Sequence, residues 1–234
     1  MRRLTNEEAQ PIYESTVKLL KRGIPGFEVR FKDEHFLQKL IAVLVYPFNR
    51  KYMEDFTSTM YPYVYFPSRD WLKKVGYMTA FRVLSHEYVH LWDEQKEGHL
   101  RFKFRYLFPQ VLGLLAVLAF FAFLWKPALW ALVALAFFAP WPSPGRRDIE
   151  RRGYLMNLAI SHWRHGDVRD DQIRSVVSRF MRWGYYKMWP FKSMAGIVRG
   201  DLAILRTGAT FTTHPGRPYA EVNALLVEHK VLAT

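Results

Sequence analysis

The stretch Tyr77–Gln95, YMTAFRVLSHEYVHLWDEQ, decides how the rest of the chain is read. It holds no proline or glycine, so nothing interrupts a helix from about Tyr77 to Gln95. On that helix His86 and His90 lie four residues apart on one face, and Glu87 stands one step round beside them. This H-E-x-x-H spacing points two imidazoles at one metal ion and sets a carboxylate next to it. Two neutral imidazoles suit zinc, which lowers the pKa of a water to about 7; Glu87 is then the general base, and the same group can return the proton to a leaving amine. Leu84, Val89 and Leu91 form an apolar face that buries the helix and dries the site, which strengthens every charge in it. Asp93, three residues beyond His90, is on nearly the same face and is a candidate to orient an imidazole. The bland alternative is an amphipathic helix whose two histidines only make core hydrogen bonds.

A catalytic zinc site takes three protein ligands and leaves a position open for water. The 234 residues include no cysteine, so thiolate ligands, disulfides and a cysteine nucleophile are all excluded. Lys96, six residues beyond His90, stands where a metzincin would have its third histidine. His99 lies behind Gly98 and is a poor ligand on the same helix. Glu150 is the better third ligand, with Asp148 as the fallback. The competing role for Glu150 is that of a first-turn carboxylate favoured by the helix macrodipole.

Between Leu107 and Trp141 only Lys126 is charged, and the run divides at Trp125, Lys126 and Pro127 into two apolar arms. This predicts a helical hairpin that either crosses a bilayer, the second arm being marginal in length, or enters it from one side. A hairpin buried within the protein or an oligomer is the third possibility. Lys96, Arg101, Lys103 and Arg105 precede it, and Arg146, Arg147, Arg151 and Arg152 follow it. The positive-inside tendency then puts both flanks in the cytoplasm, where they can share one site. The net charge of +13 fits an anionic partner, and the clustering beside the hairpin favours lipid headgroups over nucleic acid. Met1 to Gln10 is polar with no apolar stretch after it, so no cleavable signal peptide is expected.

The remaining segments are shorter readings. Thr5 and Glu8 form a capping box for a helix running toward Lys21. Phe27 to Phe31 alternates as a strand would. Asp33 can cap a helix with Phe36, Leu37, Leu40, Ile41, Leu44 and Val45 on one apolar stripe. Tyr61 to Phe66, bounded by Pro62 and Pro67, reads as an edge strand. Helices are expected from Asp148 to about Arg164, from Asp170 to about Tyr186 and near Tyr219 to Lys230, and Pro190 to Pro218 carries no assignment.

The order of these parts resembles the membrane-bound gluzincins, the HtpX-like proteases and the CAAX prenyl proteases, in which membrane helices separate H-E-x-x-H from a downstream E-x-x-A-D. Here the corresponding residues are His86 to His90 and then Glu150, Arg151, Arg152, Gly153 and Tyr154; Gly153 takes the small position and Tyr154 replaces the acidic one. The stretch from Arg152 to Asn157 is similar to uncharacterised metallopeptidase-like proteins of tailed phages. The resemblance implies a mainly α fold with a small β element, a minimal gluzincin-like core interrupted by the apolar hairpin. Residues 1–105 carry the H-E-x-x-H helix, 106–142 the hairpin and 143–234 the third ligand. It implies a zinc-dependent peptidase at a membrane, acting on peptide or protein chains, with His86, His90 and Glu150 as ligands and Glu87 as base. Its oxyanion is expected to be met by a residue of the C-terminal region, for which Tyr154, His162, His165 and Tyr185 are available. The alternative, from a different class, is a membrane-inserting or virion-associated protein with a structural or inactive metal site.

Overall fold

Helix α1 (Asn6–Gly23) starts at the expected capping box: Thr5 Oγ1 accepts from the Glu8 amide at 3.3 Å, and Glu8 Oε2 accepts from the Thr5 amide at 2.8 Å. The structure, a computed structural model, describes residues 4–46, 49–123, 126–139, 141–182, 187–208 and 216–232. Among them the chain is mostly helical, with one three-stranded sheet.

The sheet is made of β1 (Glu28–Phe31), β2 (Ser58–Met60) and β3 (Tyr63–Phe66), in the order β1-β3-β2. β1 runs parallel to β3, with Glu28 opposite Tyr63 and Phe31 opposite Phe66; β2 runs antiparallel, with Ser58 opposite Tyr65 and Met60 opposite Tyr63. This corrects the edge-strand reading of Tyr61 to Phe66. Pro62 lies in the turn before β3 and leaves the amides of Tyr63 to Phe66 free to pair on both sides, so the edge passes to β2.

α2 (Phe36–Val45) is amphipathic in the inverted sense. Gln38 is fully buried, its amide oxygen accepting from the Tyr52 hydroxyl at 2.6 Å and from Ser58 at 3.1 Å, while Phe36, Leu37, Leu40 and Val43 face outward. Asp33 does not cap it; that residue lies in the 3₁₀ turn Lys32–Glu34, and His35 precedes the helix with no side-chain cap. Ser68 caps α3 (Arg69–Val75) by accepting from the Trp71 amide at 3.0 Å.

α4 (Tyr77–Glu97) runs through the core as expected, and at 1.5 Å per residue its length is about 32 Å. Gly76, with φ of +79°, turns the chain into it, and Asn6 of α1 accepts from the Tyr77 amide at 2.7 Å in place of a local cap. Residues two apart on a helix face opposite ways, so Tyr88 points to α9 (Arg217–Glu228), where it bonds Glu221, while His86 and His90 point to α6 (Pro144–His165). One apolar core draws on α1, α4, α6, α7 (Asp170–Met181), α8 (Ser193–Arg206) and α9, so segments before and after the apolar stretch share it. α8 falls inside the stretch that the sequence left unassigned.

α5 (His99–Leu107) leads into the apolar stretch, which winds as two 3₁₀ helices, Gln110–Phe123 and Lys126–Phe138, packed on each other. Leu114, Leu118, Trp130 and Val133 are exposed on them. Among the described residues no helix is long and apolar enough to cross a membrane. The first arm begins later than expected because α5 takes Leu107 and Pro109 stands between that helix and the arm.

Candidate metal centre

α4 and α6 cross with their small and polar residues in contact. On α6 the residues Glu150, Gly153, Tyr154 and Asn157 follow the i, i+3, i+4, i+7 spacing of one helix face, and this face meets His86 and His90. The contact requires Gly153: a Cβ built there would stand 2.5 Å from His86 Nε2, so even alanine drives into the ring. Arg82 ties the same two helices, donating to the Asn157 carbonyl and to Ser161 Oγ, each at 3.2 Å.

Three ligand atoms converge there. His86 Nε2 is 2.9 Å from His90 Nε2, and Glu150 Oε2 is 3.5 Å from the first and 3.9 Å from the second. A tetrahedral zinc with ligand distances of 2.0–2.2 Å separates neighbouring ligand atoms by roughly 3.3 Å. The observed spacings bracket that value, and His86, His90 and Glu150 are the group among the described residues able to hold a metal ion. All three are buried.

The surrounding contacts orient Glu150 and His86, while His90 Nδ1 is buried without a hydrogen-bond partner. Tyr106, on α5, donates to Glu150 Oε1 at 2.6 Å, which leaves Oε2 to face the imidazoles. The Arg146 guanidinium, one turn earlier on α6, lies 5.1 Å from the centre of the Tyr106 ring. Asn157 Nδ2 stands 3.4 Å from His86 Nδ1, and the Asn157 amide oxygen is buried without a hydrogen-bond partner. An imidazole that gives Nε2 to a metal carries its proton on Nδ1, and the unpartnered oxygen, presented by rotation of the amide, is the acceptor that proton needs. The residues present fit a zinc ion.

Glu87 lies beside this group, facing a cleft of about 650 Å³ whose wall also includes Phe56 to Met60, Tyr154 and Arg179. Thr59 of β2 donates to Glu87 Oε2 at 2.7 Å. Burial raises the Glu87 carboxyl above its ordinary value, against the pull of His86, Thr59 and Lys32. Burial, and then the neighbouring His86, push His90 down to about 3, so its imidazole stays neutral with its lone pair available. Burial would lower His86 as well, but the hydrogen bond to Glu150 and the charges of Glu87 and Glu150 raise it. For Glu150 burial acts upward and is outweighed by His86, His90 and Arg146, which hold the carboxyl well below the usual range.

The other sequence candidates fall elsewhere. Asp93 is not on an imidazole; it pairs with Arg152 Nε at 3.0 Å, because the α6 residue facing it is an arginine. Tyr154 is at the site, its ring edge-on to His86 with centroids 4.8 Å apart. His162 and His165 lie beyond it on α6 and do not line the cleft, Asp148 pairs with Arg147, and Tyr185 lies outside the described residues. His99 bonds Glu94 at 3.1 Å. Glu150 is not in a first turn, since α6 opens four residues earlier than expected with Ser143 as its cap and Pro144 at its start, so the macrodipole does not account for it. Sequence reasoning missed Thr59, Tyr106, Arg146, Asn157 and Arg179. Asn157 and Arg146 carried a readable signal, their offsets of seven and four residues from Glu150.

No protein-family model matches the chain, and no curated protein or solved structure matches it either.

Proposed function

We propose that the protein is a zinc-dependent peptidase of gluzincin type working at a membrane surface, with His86, His90 and Glu150 holding the ion and Glu87 as general base. The observation that carries this is the convergence of two imidazole nitrogens and one carboxylate oxygen at the floor of a cleft whose wall presents Glu87. A zinc ion held there supplies a Lewis acid that acidifies water and polarises a carbonyl.

The chain's own residues do the rest. Glu87, held by Thr59 and kept by burial at a raised affinity for protons, accepts the proton of the attacking water and delivers it to the leaving amine. β2 is an edge strand lying along the cleft, with backbone groups on its outer side to pair with an extended substrate. Tyr154 and Arg179 line the cleft and are the groups we assign to meet the oxyanion. The exposed apolar arms, with basic residues before and after them, support attachment to lipid from one side.

Hydrolysis of a quenched peptide library by the zinc-loaded, detergent-purified protein tests the reading. Glu87→Gln should cost on the order of 10³-fold in rate while zinc remains bound. Undiminished hydrolysis in that variant refutes the role of Glu87, and zinc binding without hydrolysis of any peptide leaves the site structural.

A further inference from the structure

α2 buries its glutamine and displays its hydrophobes. Gln38 is 0% exposed, whereas Phe36 is 80%, Leu40 45% and Val43 72% exposed. These three, with Leu37, follow the i, i+4, i+7 spacing of one helix face, and such a contiguous apolar face marks an interaction surface. The position of this face in the fold narrows what covers it. Ile41, next to Leu40, lines one side of the cleft; Phe102, Lys103 and Leu107 of α5 line it elsewhere, and α5 itself exposes Leu100, Phe104 and Leu107 before running into the apolar arms. The cleft is thus flanked by two helices that each turn apolar side chains outward, and one of them is continuous with the hairpin. Exposed cations accompany both flanks, Lys39, Arg50 and Lys51 with α2 and Arg101 and Lys103 with α5; of the exposed acidic residues beside α2, Glu34 is paired with Arg69 and Asp55 with Lys51, Asp33 and Glu54 complete a mixed border, and the chain as a whole carries a net charge of +13. An apolar helix face on a strongly cationic chain matches an anionic bilayer, whose headgroups meet the net positive charge while the acyl boundary takes the side chains.

We infer that α2 lies in the headgroup boundary of an anionic membrane beside the hairpin, so that the cleft opens on the bilayer surface and receives chain segments at or next to the membrane. This rests on the membrane reading given above and adds to it a second contact, an orientation and a substrate class. The hairpin alone would tether the core without fixing which way the cleft faces; two contacts on either side of the cleft fix it.

The absence of cysteine permits a direct test. Single-cysteine variants Leu40→Cys on α2, Leu114→Cys on the first arm and Lys18→Cys on the exposed side of α1 are labelled with an environment-sensitive fluorophore. Each is mixed with vesicles of phosphatidylcholine and phosphatidylglycerol containing brominated lipid. The inference predicts quenching at positions 40 and 114 and none at 18. Quenching at 114 without 40 overturns the α2 contact and leaves the hairpin attached; quenching at neither overturns the membrane reading itself. Concentration-dependent self-association that shields position 40 in the absence of lipid assigns the face to a second copy and likewise overturns it. As a second measurement, Leu37→Gln, Leu40→Gln and Val43→Gln combined should weaken vesicle binding about tenfold or more at unchanged zinc content. Cleavage of a lipid-anchored peptide should fall with it, while cleavage of the same peptide free in solution should not. Equal loss on both peptides, or unchanged vesicle binding, contradicts the inference.

Discussion

The α4–α6 contact and the α2–hairpin surface are both rich in large apolar side chains, and they use them in opposite ways. Between α4 and α6 the hydrophobes are packed away and the polar residues His86, His90 and Glu150 are enclosed with them, aimed at one another, with Asn157 half-buried beside His86. On α2 and the arms the hydrophobes face outward, while on α2 the polar Gln38 is the buried residue. Enclosing two imidazoles and a carboxylate is costly unless something satisfies their lone pairs, so the first region calls for an ion. Displaying an apolar helix face is costly in water, so the second calls for a partner surface.

The comparison can be broken at several points. His86→Ala with His90→Ala should reduce zinc from about one ion per chain to none by elemental analysis, because a lone carboxylate does not retain the metal. Gly153→Ala should lower zinc affinity about 100-fold in a competition titration, since its Cβ displaces the His86 ring; the gain in helix propensity, about 1 kcal/mol, should keep the variant folded by circular dichroism. Asn157→Leu should weaken zinc about tenfold by freeing His86 Nδ1 from its acceptor. For the apolar residues, denaturant unfolding should separate the two regions: Leu84→Ala, fully buried on α4, should cost about 3 kcal/mol, and Leu40→Ala, outward on α2, no more than about 0.5. Equal costs at positions 84 and 40 would remove the contrast.

A smaller effect concerns Lys32, which is fully buried, donates to the Tyr52 carbonyl at 2.9 Å and is pushed by burial down from its ordinary 10.5 to about 7. Between those values the unfolded chain holds the proton and the folded chain does not, so this group makes stability rise with pH across that window. Lys32→Met should flatten that rise in unfolding midpoints measured from pH 6 to 10.

What the sequence disclosed follows the range of each signal. The α4 helix, its two histidines and Glu87 were legible because a helix fixes its own faces, and the α1 capping box was legible because it is closed within four residues. Glu150 was within reach through the order of motifs, whereas the start of α6 lies ahead of Asp148, where Ser143 caps the helix before Pro144. The edge strand went to the wrong segment because sheet order depends on pairing between distant stretches: Ser58–Met60 is too short to read alone, yet it forms the edge beside Glu87. The inversion of α2 was illegible for a related reason, since periodicity finds an apolar face but not the side on which Tyr52 and Ser58 will wait for Gln38. Tyr106 and Thr59 reach the site across 44 and 28 residues of chain, which no local pattern encodes.

The most direct test of the metal centre is X-ray absorption at the zinc edge on the reconstituted protein, recorded beside Glu150→Ala. One zinc per chain with two imidazole nitrogens and light oxygen ligands near 2.0–2.1 Å, and the loss of a carboxylate oxygen in the variant, is the predicted result. A protein that takes up no zinc, or whose zinc signal lacks imidazole and is unchanged in Glu150→Ala, would contradict it and leave His86, His90 and Glu150 as a buried hydrogen-bonded group.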